Sequence, residues 1–88
     1  MRLKQDLILR HVADTWIVLP VGNATASFNG MISLNETGAF LWQNLLQGKN
    51  REELALAMME EYNIDKVLAM NDIDAFLQQV KEAGCMED

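Results

Sequence analysis

The strongest constraint on this chain is an order: β-type patterning fills the first third, and three separately capped helical patterns fill the rest. Leu7-Ile8-Leu9-Arg10-His11-Val12 and Thr15-Trp16-Ile17-Val18-Leu19 are rich in leucine, β-branched and aromatic residues, with Ala13-Asp14 as a short joint. Pro20 cannot donate to a ladder, so the end of the second strand is expected at a sheet edge. Asn29-Gly30 is a tight-turn dipeptide suited to positive φ. It separates Ala26-Ser27-Phe28 from Met31-Ile32-Ser33-Leu34, which reads as the third strand. No later segment looks able to pair with the far side of that strand.

The helical part is punctuated by its caps. Asn35 precedes an apolar run through Ala39, Leu41, Trp42, Leu45 and Leu46, and Gly48 ends it. Asn50 with Glu53 approximates a capping box for a second helix, in which Leu54, Met58 and Tyr62 recur every four residues. Asp65 caps a third, whose Ala69, Ile73, Phe76, Leu77 and Val80 form one amphipathic stripe before Gly84. Three short antiparallel strands followed by three helices make an α+β domain with a winged-helix-like arrangement. Eighty-eight residues cover one core, so residues 1–88 are expected to form a single domain.

Charge narrows the partners. Seven Lys and Arg against thirteen Asp and Glu give a net charge of −6. Residues 1–48 balance Arg2, Lys4 and Arg10 against Asp6, Asp14 and Glu36, so the whole excess falls in residues 49–88. Nucleic acid and anionic membranes require the opposite sign. A winged-helix transcription regulator is the runner-up reading of the element order. However, the start of the third helix offers Lys66 against Asp65, Asp72 and Asp74, which opposes contact with phosphate. One cysteine, Cys85, fits a reducing cytoplasm, and the opening segment has neither a signal-peptide core nor a spanning stretch.

Catalytic chemistry has few candidates. His11 is the only histidine and Cys85 the only cysteine, and they are far apart in sequence. His11 is expected on a strand face, and Cys85 as an apolar contact after a helix stop. No glycine-rich phosphate loop or metal-ligand spacing occurs, so neither an enzyme nor a cofactor is expected.

What remains is an edge and a groove. An unpaired third strand is a docking site for an extended peptide, which gains main-chain hydrogen bonds while side-chain pockets supply specificity. Met31, Ile32, Ser33 and Leu34 would supply the edge, and Phe28 would shape its end. Met70, Asp74 and Leu77 would line a helical wall. The same edge would allow pairing with a second copy of the chain, or strand exchange between copies, to give a homodimer.

The run from Phe28 through Asn29-Gly30-Met31-Ile32-Ser33-Leu34-Asn35-Glu36-Thr37-Gly38-Ala39-Phe40-Leu41 to Trp42 resembles the PqqD family. So do Gly48, Asn50-Arg51-Glu52-Glu53-Leu54, Tyr62, Asp72-Ile73, Phe76-Leu77 and Gly84. The resemblance spans about Leu7 to Gly84. It implies a peptide-recognition domain that binds the leader of a ribosomally made precursor peptide as an added strand on the third β-strand, beside the third helix. It also implies presentation of that leader to a modifying enzyme, often of the radical S-adenosylmethionine type. Gln47 departs from the pattern, because members serving pyrroloquinoline quinone itself commonly carry Asp just before that glycine.

Overall fold

The computed structural model describes residues 2–22 and 32–87. Its elements are β1 (Leu7–Val12), β2 (Thr15–Pro20), β3 (Ile32–Leu34), α1 (Glu36–Leu46), α2 (Arg51–Tyr62) and α3 (Lys66–Glu82). The α+β order read from the sequence is therefore present, and it is compatible with a winged-helix-like arrangement. Phe28, Met31 and the Asn29-Gly30 turn lie outside the described residues.

The sheet is antiparallel in the order β1-β2-β3. Leu7 pairs with Pro20 and Val12 with Thr15 across the first hairpin, and Ile17 pairs with Ser33 across the second. β2 is thus the central strand, but the β3 ladder reaches only to Val18, so among the described residues Pro20 has β1 on one side and no strand on the other, as expected of a residue without a donor. Pairing with β1 continues past it, where the Val21 N–H donates to the Asp6 carbonyl at 2.8 Å.

The helices begin where their capping residues stand. Asn35 Oδ1 accepts from Gly38 N at 2.8 Å, and Asp65 Oδ1 accepts from Leu68 N at 2.9 Å. Asn50 and Glu53 make the reciprocal capping box, with both bonds at 2.9 Å. Gly48 and Gly84 follow α1 and α3 at φ of 89° and 83°, a region in which a Cβ would be strained.

The core forms where the helical stripes meet the inner face of the sheet. Val18 from β2, Trp42 from α1, Leu54 and Met58 from α2, and Ile73 and Val80 from α3 are completely buried. Phe40 and Tyr62 add an edge-to-face pair at 5.4 Å between α1 and α2.

One tertiary feature has no local signal in the sequence. The two ends of the chain pair through an isolated bridge, Leu3 to Met86. The Lys4 N–H donates to the Cys85 carbonyl, and the Glu87 N–H donates to the Arg2 carbonyl, both at 2.8 Å. This closure buries Leu3 and Cys85 with the main core.

Candidate functional site

The junction of β3 with α1 fixes the position of the strand edge. Asn35, between the two elements, accepts from Gly38 N and also from Thr37 Oγ1, the latter at 3.0 Å. Gly38 lets the first turn of α1 lie directly on the strand. A Cβ there would stand 3.1 Å from Asn35 Oδ1 and 3.3 Å from Leu34 Cβ. Leu34 turns into the core and Ile32 packs half-buried against it, whereas Ser33 is exposed. Alternation along a strand accounts for this split. Among the described residues, no strand pairs with the side of β3 opposite β2.

α3 presents two stripes beside its buried one, and each has a marker. Asp74 accepts two bonds from the Arg51 guanidinium of α2, at 2.9 and 2.8 Å. Met70 and Leu77 stand four residues before and three after Asp74, so this stripe leans toward α2. Both are half-buried against the core. On the other stripe Gln79 Nε2 donates to the Ser33 carbonyl at 2.9 Å. Asp72, Ala75 and Phe76 share that side with Gln79 by the same helical spacing.

These four residues, with Asn35, Thr37, Gly38 and Leu41, line an open cavity of about 130 Å³ between α3 and the start of α1. Of these, Gln79 reaches β3 itself, and Met70, Asp74 and Leu77 are not among the residues lining this cavity. The sequence signal for Gln79 and Asp72 is their seven-residue separation beside the Phe76 stripe.

The electrostatics suit binding better than proton transfer. The Arg51 guanidinium, through its hydrogen bonds, holds the Asp74 carboxyl below its usual value. Burial pushes the Cys85 thiol up to about 11, away from the thiolate form a nucleophile requires. His11 lies on β1 with its ring stacked on Trp16, centroids 4.2 Å apart and planes within 2°. Among the described residues there is no group of three His, Cys, Asp or Glu side chains placed to hold a metal ion. No helix among them is long and apolar enough to cross a membrane.

A three-stranded sheet whose third strand has no further strand beside it among the described residues, joined to the last helix through Gln79, defines a small α+β domain. Comparison with known proteins places it more closely. Residues 15–86 match the family described as Coenzyme PQQ synthesis protein D (PqqD). The chain belongs to the PqqD family.

Two solved structures share the fold. One is TbiB1 in complex with the TbiA(beta) leader peptide, 24% identical with a TM-score of 0.77, covering 99% of this chain and 95% of that one. The other is a lasso peptide synthetase B1 complexed with the leader peptide, 25% identical with a TM-score of 0.77, covering 99% and 96%. No curated protein matches the chain.

Proposed function

We propose that this protein is a non-catalytic adaptor that captures the leader segment of a ribosomally synthesised precursor peptide as a fourth strand on β3. It then presents that peptide to a modifying enzyme, of the radical S-adenosylmethionine class, in the cytoplasm. The observation that carries this reading is the side of β3 that no strand pairs with among the described residues, which α3 reaches through Gln79 at Ser33. Membership of the PqqD family supports it, as do two structural neighbours solved with leader peptides.

In this reading Ile32, Ser33 and Leu34 supply main-chain groups to the guest, and strand addition makes little demand on the guest's sequence. Asp72, Ala75, Phe76 and Gln79 form the helical wall. Met70 and Leu77 pack behind it, and Asp74 fixes the helix to α2. Phe28 and Met31, which the sequence pattern also assigns to the peptide site, lie outside the described residues. Enzyme activity is left to the partner, a reading supported by the raised thiol of Cys85 and the stacking of His11 on Trp16.

The test is a titration of isotope-labelled protein with a synthetic leader from the short precursor encoded beside this chain's gene. Amide shifts concentrated at residues 32–34 and 72–79 are expected. Shifts that avoid both segments would sink the proposal.

A further inference from the structure

Resting on the reading of β3 as a guest-binding edge, we infer that Gln79 is a built-in competitor for that edge. In the peptide-free protein its side-chain amide occupies the Ser33 carbonyl, and the guest strand must displace it to bind.

Four observations converge on this role. Among the described residues, the bond from Gln79 Nε2 to Ser33 O, at 2.9 Å, is the one side-chain hydrogen bond that joins α3 to the sheet. It meets β3 at the middle of the three residues that have β2 on one side and no strand on the other. Gln79 also lines the cavity between α3 and the start of α1, together with Asn35, the residue that follows β3. Finally, both Gln79 and Ser33 are exposed, so nothing packed over the bond prevents its exchange.

Ladder geometry sharpens the assignment. In an antiparallel pair, a residue sends its N–H and C=O together either toward its partner strand or away from it, and successive residues alternate. A carbonyl reached by a helix side chain from the groove is one turned away from β2. Ser33 therefore presents its donor and its acceptor outward, while Ile32 and Leu34 direct theirs into the β2 ladder.

The primary amide of Gln79 copies the donor half of a peptide group. It satisfies in advance the acceptor that a guest N–H would take. An open edge strand is also a template for unwanted pairing, and a covering side chain is one way to blunt it. The cover is weak enough to lose, because an exposed neutral hydrogen bond contributes little net free energy against water. A guest strand that brings several main-chain bonds together displaces one side-chain donor.

Two variants and one probe test the role. The probe is the same synthetic leader peptide, titrated into wild-type protein, Gln79→Ala and Gln79→Asn. Asparagine keeps the amide but is one methylene too short to reach, so it should behave as alanine does. Both variants are expected to bind the peptide about 2- to 10-fold more tightly, through a faster association rate, as removal of one neutral hydrogen bond allows. Without peptide, the Ser33 carbonyl carbon resonance should move in both variants. On adding peptide to the wild type, the Gln79 side-chain amide resonances should move to solvent-exposed positions.

Unchanged or weaker binding by the variants, with wild-type shifts still centred on residues 32–34, would overturn the competitor role and leave the adaptor reading standing. Wild-type shifts that avoid β3 altogether would overturn both.

Discussion

Arg51 and Asp74 are joined by two parallel hydrogen bonds, 2.9 Å from Nε and 2.8 Å from Nη2, which tie the start of α2 to the middle of α3. The buried stripe of Ala69, Ile73, Phe76 and Val80 sets the rotation of α3 about its own axis, and the pair forms on the flank that this leaves beside α2. With Asp74 on the side of α2, Gln79 on the other flank of the helix reaches Ser33 of β3. Lys66 and Glu52 repeat the link about two turns earlier in α3, at 3.2 Å. Exposed ion pairs contribute little to stability, so they mark which flank of α3 faces α2, while the buried stripe decides how the helix is turned.

That pair has a pH signature. Asp74 has a folded pKa below its unfolded value because Arg51 donates to its ionised form. Its stabilising effect is fully present above the unfolded value of about 3.9. It is lost as pH falls through the lower folded value. Asp74→Asn should therefore flatten the acid limb of a melting-temperature profile below about pH 4, and leave the profile's shape at neutral pH unchanged. Raising salt should shrink the difference between the two proteins, since both side chains are about half exposed. Identical acid limbs in variant and wild type would show that the pair has no linkage to folding.

Gly38 gives a prediction with two opposing terms. Alanine is the better helix former by about 1 kcal/mol. A Cβ at this position, however, meets Asn35 Oδ1 at 3.1 Å and Leu34 Cβ at 3.3 Å, the residues that cap α1 and end β3. Overpacking of this kind costs about 1–3 kcal/mol. Gly38→Ala should therefore lower the urea midpoint despite its helix propensity. A raised midpoint would mean that Leu34 can give way, and that the contact between strand and helix is looser than the distances imply.

Cys85 is placed for burial and not for reactivity. Its side chain is completely buried, and desolvation pushes its thiol up to about 11. The folded value lies above the unfolded one, near 8.5. The associated stability is complete below that lower value and is lost as pH rises toward the higher one. Wild-type protein should lose stability between about pH 8.5 and 11, and Cys85→Ala should lack that dependence while being less stable at pH 7 because of the cavity it leaves. Native alkylation by iodoacetamide at pH 8 should be slow and should rise sharply in denaturant. Rapid native alkylation would show that the paired chain ends open often.

Much of this fold was legible because its punctuation is local. Asn35, Asn50 with Glu53, and Asp65 each specify a helix start within three residues, and each makes that bond in the structure. The stripe of Ala69, Ile73, Phe76 and Val80 likewise identifies the buried side of α3. What sequence spacing does not specify is which of the two flanking sides turns to the sheet. Met70, Asp74 and Leu77 are as regular a series as Asp72, Ala75 and Gln79. Only the contacts made by Arg51 and Ser33 distinguish them, and these partners lie 23 and 46 residues away in the chain. Pro20 shows the same limit. Its missing donor signals an unpaired side of the strand, but only the register shows that β3 stops short of it, at Val18.

The outward orientation of Ser33 separates two substitutions that look equivalent in the sequence. Proline removes a main-chain donor wherever it is placed. At position 33 the donor removed is one that faces the guest, and proline is tolerated on edge strands whose N–H points away from the sheet. At position 32, opposite Val18, the donor removed belongs to the β2–β3 ladder. Ser33→Pro should therefore keep a melting temperature close to that of the wild type and weaken leader binding by about 10-fold, as expected for one lost main-chain bond in a desolvated strand pair. Ile32→Pro should instead lower the melting temperature, and any loss of binding should follow from detachment of β3. Thermal melts and calorimetric titrations of both variants decide the matter. If Ser33→Pro unfolds the domain and Ile32→Pro does not, the orientation is reversed, and Gln79 shares the carbonyl of a ladder residue instead of covering a free one.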